Sequence, residues 1–423
     1  MSQVHDVAML GLAAALVAPV APLAAQKDTV HRALTSRSDS APAAPRPESP
    51  RGGQPPAPPP IAIQLKVLLN VDYVQGAPLS APPNQGFGLR RARLFAQGSI
   101  PAGLGFRIQL DPSVLANGPQ GAAPFRGSPL VEGYLSYQRG EPFLIQAGQQ
   151  RIPFGLASTT GAPSLATPEF AQFARYLEQR VSAFRDIGVT VQGRTSIIEY
   201  AAGLFNGAGI NTLTDNDSSR DAVGRLTISV IPGLQLSADA WSGHSGSLYS
   251  RAPGAAPLKT FYDNTGFHRY STDVRFARGP ALVTGEYGID RTSYTATAVN
   301  PVPGKRRLDR IGYNAMGALR LSWVAPELAP VEVVARYDQW DGDQNVTGNR
   351  ITEYVAGVNY YLLELNAPDD RQLGRPLNYA LRESRVMVYF EHDTPNGIGA
   401  AALLGSPALT STTRFHMRWD LFF

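Results

Sequence analysis

The amino-acid sequence predicts an all-β protein, a transmembrane antiparallel β-barrel of about sixteen strands with an inward-folded third loop. Large apolar side chains alternate with polar ones in segments of about ten residues, from residue 61 to the C-terminus. Short turns and long polar loops alternate between these segments. The last segment, RFHMRWDLFF, places Phe415, Met417 and Trp419 on one face and Arg414 and Arg418 on the other.

Two stretches of different composition precede the alternating segments. The run VAMLGLAAALVAPVAPLAA ends in small residues, as in a secretory signal peptide cleaved near Ala25. The residues before this run depart from that pattern, because they include Asp6 and neither lysine nor arginine. Residues 26–60 are rich in proline, alanine and serine and are predicted to be a disordered periplasmic leader. The barrel is then 61–423, after a signal peptide over 1–25.

The composition excludes several kinds of site. The 423 residues include no cysteine, which excludes disulfides, thiolate metal sites and a cysteine nucleophile. The formal net charge of +4 is small and the basic residues are dispersed, unlike the basic stripe of a nucleic-acid-binding surface. We therefore predict no cofactor, no metal site and no nucleic-acid partner.

The alternation predicts one strand for each segment. The predicted strands cover residues 61–74, 88–100, 104–114, 129–138, 142–150, 186–194, 197–205, 221–231, 234–243, 268–277, 281–290, 310–323, 330–339, 352–362, 384–392 and 412–423. Short turns at one end and long loops at the other are typical of outer-membrane barrels. The connection 363–383 departs from this rule, since it is long where a short one is due. A soluble β-sandwich array has the same periodicity, but it does not explain the loop asymmetry or the apolar N-terminal run.

Most charged side chains of the predicted strands lie on the face opposite the apolar side chains. In a barrel of this size, that charged face lines a water-filled lumen. Arg90 is an exception. Arg91, Arg93 and Arg107 lie on neighbouring strands and would form a ladder of guanidinium groups that attracts anions. Alternatively, these arginines pair with inward carboxylates such as Glu132 and brace the wall.

The connection 151–185 is unusually long for a compact fold, and connections of that length are commonly functional. Its middle, PEFAQFARYLEQ, predicts a helix beginning at Pro168. We predict that this loop folds into the barrel and narrows the channel, with Arg175, Arg180 and Glu178 as candidate lining residues. The alternative is an extracellular loop that carries a surface helix.

The segments GFGLRRARLFAQGSI, QAGQQRIPFGLA, RDIGVTVQGR and EYAAGLFNG come in an order and spacing that resembles the phosphate-selective porin O and P family. The resemblance extends over 61–423 and is strongest over 87–210. It implies a trimeric outer-membrane porin with an arginine-lined, anion-preferring channel. The terminal strand, which ends at Phe423, resembles the signal read by the outer-membrane insertion machinery.

The resemblance implies anion-binding roles for Arg90, Arg91, Arg93 and Arg151 by position. This chain departs from the family in lacking a cluster of lysines at the channel mouth, since Lys66 is the only lysine in a predicted strand. We therefore expect a weaker anion preference or a general pore rather than phosphate specificity. The expected partners are small anionic solutes, outer-membrane lipid and two further copies of the chain, in the outer membrane of a Gram-negative-type cell.

Two other classes of function are an outer-membrane enzyme and a non-conducting barrel. An outer-membrane enzyme would need a nucleophile and a base, or paired catalytic acids. The histidines stand alone, without a G-x-S-x-G or H-E-x-x-H motif around them, so we predict that the chain is not an enzyme. A non-conducting structural or adhesive barrel is the alternative that the sequence leaves open.

Overall fold

The computed structural model describes residues 62–76, 86–100, 103–116, 128–175, 184–212, 219–245, 265–293, 307–345, 347–364, 383–396 and 411–422. The predicted signal peptide and leader, together with Arg180 and Phe423, lie outside these residues. No helix within the described ranges is long and apolar enough to cross a membrane.

The chain forms a closed barrel of sixteen antiparallel strands, in which each strand pairs with its neighbours in sequence and β1 pairs with β16. The strands are β1 Ala62–Gln75, β2 Gly86–Ile100, β3 Leu104–Leu110, β4 Leu130–Gln138, β5 Leu144–Arg151, β6 Arg185–Arg194, β7 Ile198–Phe205, β8 Asp221–Ile231, β9 Leu234–Ser245, β10 Thr265–Arg278, β11 Ala281–Ser293, β12 Arg307–Arg320, β13 Val331–Asp341, β14 Arg350–Glu364, β15 Glu383–Asn396 and β16 Thr412–Phe422. The predicted all-β antiparallel barrel of about sixteen strands is thereby confirmed.

Two predicted strands are too long at their C-terminal ends. The strand predicted over 104–114 ends at Leu110, and Ser113–Ala116 is a helical turn in which the Ser113 hydroxyl donates to Asp111. The strand predicted over 310–323 ends at Arg320, and a 3-10 turn follows over Leu321–Trp323. In both places apolar residues continue past the sheet, so the pattern alone did not mark the end.

The two faces of the barrel wall differ in chemistry. Large apolar side chains on the outer face are exposed, including Leu65 at 77% and Phe87 at 80% of their surface. Charged side chains on the other face, such as Arg91 and Glu132, are buried inside the barrel. An apolar band outside and charged groups inside match the lipid and water that such a wall separates.

Aromatic side chains lie on the outer face near the end of the barrel with the long loops. Their rings contact one another across neighbouring strands, with centroids 5.0 to 6.5 Å apart: Tyr73–Phe87, Tyr73–Phe415, Phe390–Phe415, Tyr337–Tyr354 and Tyr313–Tyr337. Aromatic girdles of this kind are typical of the membrane–water interface.

A β-bulge in β2 explains why Arg90 departs from the alternation. Asn70 of β1 pairs with Arg91, and the next residue, Val71, pairs with Leu89. Arg90 is therefore an extra residue opposite this step, and such a residue changes the direction of the side chain without shifting the rest of the strand.

Substitution at Leu226 tests the orientation of the wall. Leu226 lies in the middle of β8 with 46% of its surface exposed on the outer face. We expect Leu226→Arg to destabilise the barrel in lipid vesicles by about 2–4 kcal/mol, because the guanidinium meets hydrocarbon. Urea titration, with the folded fraction read from the heat-modifiable gel band, measures this. Leu226→Phe is the control and should be nearly neutral; an equal effect of both substitutions would contradict the assignment of faces.

Candidate functional site

Two arginines of the predicted ladder are bound to carboxylates. Arg93 Nε lies 2.8 Å from Asp111 Oδ2, and Arg107 Nε lies 3.0 Å from Glu132 Oε2. For these two residues the structure agrees with the alternative prediction, in which the arginines pair with inward carboxylates and brace the wall. Arg91 is buried and donates to Asn70 Oδ1 at 3.4 Å.

Glu132 is shared by three arginines. Besides Arg107, its carboxylate contacts Arg151 Nε at 3.0 Å and Arg185 Nη2 at 2.9 Å. Arg151 and Arg185 are opposite each other in the pairing of β5 with β6, which brings both to the same carboxylate. With three guanidinium groups on one carboxylate, positive charge exceeds negative charge at this place.

Arg185 is a residue of the site that the sequence pattern does not indicate. The pattern predicts Arg185 at the end of a loop, whereas β6 begins there in the structure, directly opposite Arg151. The alternation gave no signal for Arg185, because its parity is opposite to that of Thr190 and Gln192 and the predicted strand began one residue after it.

Glu169, in the long connection after β5, is the centre of a second arginine cluster. Its carboxylate contacts Arg90 Nε at 2.9 Å, Arg418 Nη2 at 2.9 Å and Arg91 Nη2 at 3.9 Å. Burial would raise the pKa of the Glu169 carboxyl, but the charges of Arg90, Arg418 and Arg91 outweigh it and hold that pKa well below its usual range. The β2 bulge therefore directs Arg90 to a carboxylate of this connection.

The prediction that a helix begins at Pro168 is wrong. Residues 166–169 form bends, and among the described residues of this segment helical backbone begins only at Gln172 and continues to Arg175. The main-chain oxygens of the bends accept hydrogen bonds from the wall, so these residues are fixed in a non-helical conformation. A shorter helix, Gly155–Thr159, was not predicted.

The segment Ile152–Arg175, which we call the docking segment, contacts buried polar groups of β11 and β13–β16. Leu156 N donates to Glu286 at 2.9 Å, and Gln172 N donates to Asp338 at 3.1 Å. The remaining polar contacts of the segment include Arg385 Nη2 with Leu165 O, Asn359 Nδ2 with Ala166 O, Gln172 Nε2 with Asp393 and Arg175 with Glu353. These groups replace the water that backbone and charged groups of a loop otherwise need.

Two glycines of neighbouring strands form a socket for Phe173 of the docking segment. Gly288 of β11 and Gly312 of β12 are opposite each other, and Phe173 is buried against both. A Cβ built on either glycine would overlap Phe173. The ring therefore occupies space that only glycine leaves open.

A cavity of about 420 Å³ lies against the opposite side of the wall, which is formed by β1–β8. Among its lining residues that the structure describes, six are cationic and three are acidic. The cations are Lys66, Arg93, Arg107, Arg151, Arg194 and Arg225, and the acids are Glu132, Glu141 and Glu199. The structure thus brings three of the predicted site residues to one cavity and places Arg90, Arg91 and Arg175 at the docking segment instead.

Comparisons with known proteins agree with this geometry. Residues 64–242 match the family model described as phosphate-selective porin O and P, which confirms the resemblance found in the sequence and supports the outer-membrane location. A search of curated protein sequences found no match.

Several solved structures share the fold at low sequence identity. OmpT, an outer membrane protein of Vibrio cholerae, has a TM-score of 0.57 at 10% identity, with 86% of this chain and 98% of that chain covered. The outer membrane channel DcaP of Acinetobacter baumannii has a TM-score of 0.52 at 12% identity, over 88% and 99% of the two chains. Salmonella typhi OmpF has a TM-score of 0.53 at 9% identity, over 85% and 97%.

The socket predicts that a single methyl group loosens the docking segment. We expect Gly288→Ala or Gly312→Ala to displace Phe173 and to lower the free energy of unfolding by about 1–3 kcal/mol. Gly317→Ala is a matched control on β12, because a Cβ there has no atom within 4 Å. Thermal unfolding in detergent micelles compares the three variants; a loss as large in the control would show that the socket is unimportant.

The Glu169 cluster predicts a pH-dependent stability. A carboxyl whose folded pKa is depressed contributes fully above its ordinary value of 4.5, and this contribution is lost as the pH falls from there through the folded pKa. We expect Glu169→Gln to cost about 3 kcal/mol at neutral pH and progressively less in acid. Unfolding midpoints across pH measure the difference. Glu327→Gln, at an exposed turn, is the control, and a pH-independent difference would contradict the prediction.

Proposed function

We propose that this chain is an outer-membrane porin, because residues 64–242 match the family model described as phosphate-selective porin O and P. In this proposal the barrel is a water-filled diffusion channel for small solutes, preferably anionic ones, phosphate among them. The closed wall, the apolar exterior and the charged interior all support a channel.

The observation that carries the anion preference is the cluster at Glu132. Arg107 and Arg151 line the cavity and share that one carboxylate with Arg185, so the cavity wall has an excess of positive charge there. Charge of one sign in a narrow polar channel raises the local concentration of counter-ions and lowers their entry barrier. Partly paired arginines bind an anion moderately, which also lets it leave.

The docking segment supports the proposal that the loop 151–185 narrows the channel. Its side chains and carbonyls contact buried polar groups of β11 and β13–β16, as a loop folded into the interior would do. The space for solutes is then the cavity along β1–β8. Arg180 is a proposed lining residue of the same loop.

The acidic side chains inside the barrel argue for a modest anion preference rather than phosphate specificity. Asp239 and Asp273 both pair with Arg225, at 2.6 and 2.8 Å, so that cation contributes little excess charge. Lys66 is the one lysine in the described strands, and no lysine cluster accompanies it there.

We further propose a homotrimer in the outer membrane. A trimer form is described for the OmpT of Vibrio cholerae, whose fold this chain shares. The C-terminal strand, which ends at Phe423, is the segment we propose for recognition by the insertion machinery.

Neutralising the two cavity arginines tests the proposed function. We expect Arg107→Gln/Arg151→Gln to lower the chloride-to-potassium permeability ratio by about two- to fivefold, because the excess charge at Glu132 is removed. Reversal potentials of single channels in planar bilayers under a KCl gradient measure this ratio.

Two exposed arginines of the outer face provide the matched control. Arg291 and Arg307 lie at the long-loop ends of β11 and β12 and are about half exposed. Arg291→Gln/Arg307→Gln should leave the reversal potential unchanged. An unchanged potential in the cavity variant would contradict the anion site, and a folded protein without conductance would leave the non-conducting structural barrel.

A further inference from the structure

We propose that the cavity along β1–β8 binds organic anions that carry several hydroxyl groups beside one carboxylate or phosphate, with sugar acids as the simplest class. This inference rests on the proposed channel function and specifies its solute. It follows from the size of the cavity, from the glutamines that line it beside its arginines, and from the positions of the glutamines relative to the arginines.

The size of the cavity suits a small organic molecule. Its volume of about 420 Å³ is within the range of pockets that enclose small ligands. A single inorganic phosphate ion is far smaller and would contact only part of the wall at a time.

Glutamine is the most frequent polar neutral residue of the lining. The glutamines that line the cavity are Gln97, Gln109, Gln138, Gln146, Gln150 and Gln192. Each primary amide both donates and accepts hydrogen bonds. A hydroxyl group does the same. A carboxylate only accepts, and inorganic phosphate near neutral pH carries only one or two O–H donors, so most of the amide oxygens receive no hydrogen bond from such an anion. A wall of amides therefore favours a solute with hydroxyl groups.

The amides are held in place by one another across neighbouring strands. Gln192 Nε2 of β6 donates to Gln146 Oε1 of β5 at 2.6 Å, and Gln97 Nε2 of β2 donates to Gln64 Oε1 of β1 at 3.1 Å. Each such bond uses one donor of one amide and one lone pair of the other. The orientation of the amides is therefore fixed before a solute arrives.

Gln109 joins the amides to the arginine cluster. It is fully buried, it accepts from Arg107 Nη2 at 3.4 Å, and its own Nε2 has no hydrogen-bond partner among the described residues. An unpartnered buried donor is costly unless a ligand or water accepts from it. Arg107 is in turn bound to Glu132 beside Arg151. The cavity thus has guanidinium groups next to amides. The guanidinium groups would bind the carboxylate of a sugar acid, and the amides would bind its hydroxyl groups.

Current block in planar bilayers compares four probes: gluconate, propionate, sorbitol and inorganic phosphate. Gluconate has both the charge and the hydroxyl groups, propionate only the charge, sorbitol only the hydroxyl groups. We expect gluconate to interrupt the single-channel current at concentrations about tenfold lower than the other three, since it alone makes both sets of contacts. Equal block by gluconate and propionate, equal block by gluconate and sorbitol, or stronger block by phosphate would overturn the inference.

A pair of substitutions tests the amides themselves. Gln146→Leu/Gln192→Leu keeps the size of the side chains and removes their hydrogen bonds, and we expect it to weaken gluconate block about tenfold while propionate is unaffected. Gln235→Leu is the matched control: Gln235 lies on the inward parity of β9 with Ser237 but does not line the cavity. If gluconate blocks the current of this double variant as strongly as that of the wild type, the proposed role of the amides is overturned.

Saturation-transfer NMR of the detergent-solubilised protein with gluconate and sorbitol separates this inference from the channel proposal. Selective transfer to gluconate without any conductance would support the binding site and refute the channel. Conductance with neither selective block nor selective transfer would support the channel and overturn the organic-anion site.

Discussion

The interior of this barrel depends on the pairing of buried charges, and the pairing is most consequential where the barrel closes. Arg418 of β16 binds Asp72 of β1 at 2.6 and 2.7 Å, and Asn70 donates to Asp420 at 2.6 Å across the same seam. A buried guanidinium without its carboxylate would be strongly destabilising, so each group needs the other strand in place. Closure of the sheet and satisfaction of its charges are therefore one requirement.

The docking segment is attached to that same seam. Glu169 contacts Arg90 and Arg91 on one side of β1 and Arg418 on the other, so one carboxylate of a loop joins the strands that flank β1. The segment lies along β11 and β13–β16, and the cavity with its arginines and amides lies along β1–β8. Buried charges along β13 and β14 are thus matched by contacts of the docking segment, whereas cations and amides along β1–β8 line the cavity.

Much of this arrangement is readable in the sequence, because alternation with period two reports directly on which face of a sheet a residue occupies. All sixteen strands, their order and the inward parity of Arg91, Arg93 and Arg107 follow from it. The bulge at Arg90 could not be predicted from the alternation. One extra residue breaks the pattern in the sequence, but the break does not reveal that a bulge causes it.

The partners of the inward charges could not be predicted, because they depend on the pairing register and on the path of the connections. Glu132 gathers Arg107, Arg151 and Arg185 only through the registers of β3 to β6. The socket of Gly288 and Gly312 for Phe173 joins residues of three separate segments, each ordinary by itself. The excess of charge and the amides at the cavity became apparent only when these strands were placed side by side.

The seam also sets an order of events during assembly. Asn70 and Asp420 are 350 residues apart in sequence, so their pairing has a large entropic cost and comes after the pairings of neighbouring strands. Glu169 contacts Arg90 of β2 and Arg418 of β16, the strands on either side of β1. Its carboxylate therefore adds a contact between the two ends of the sheet beyond the backbone pairing of β1 with β16.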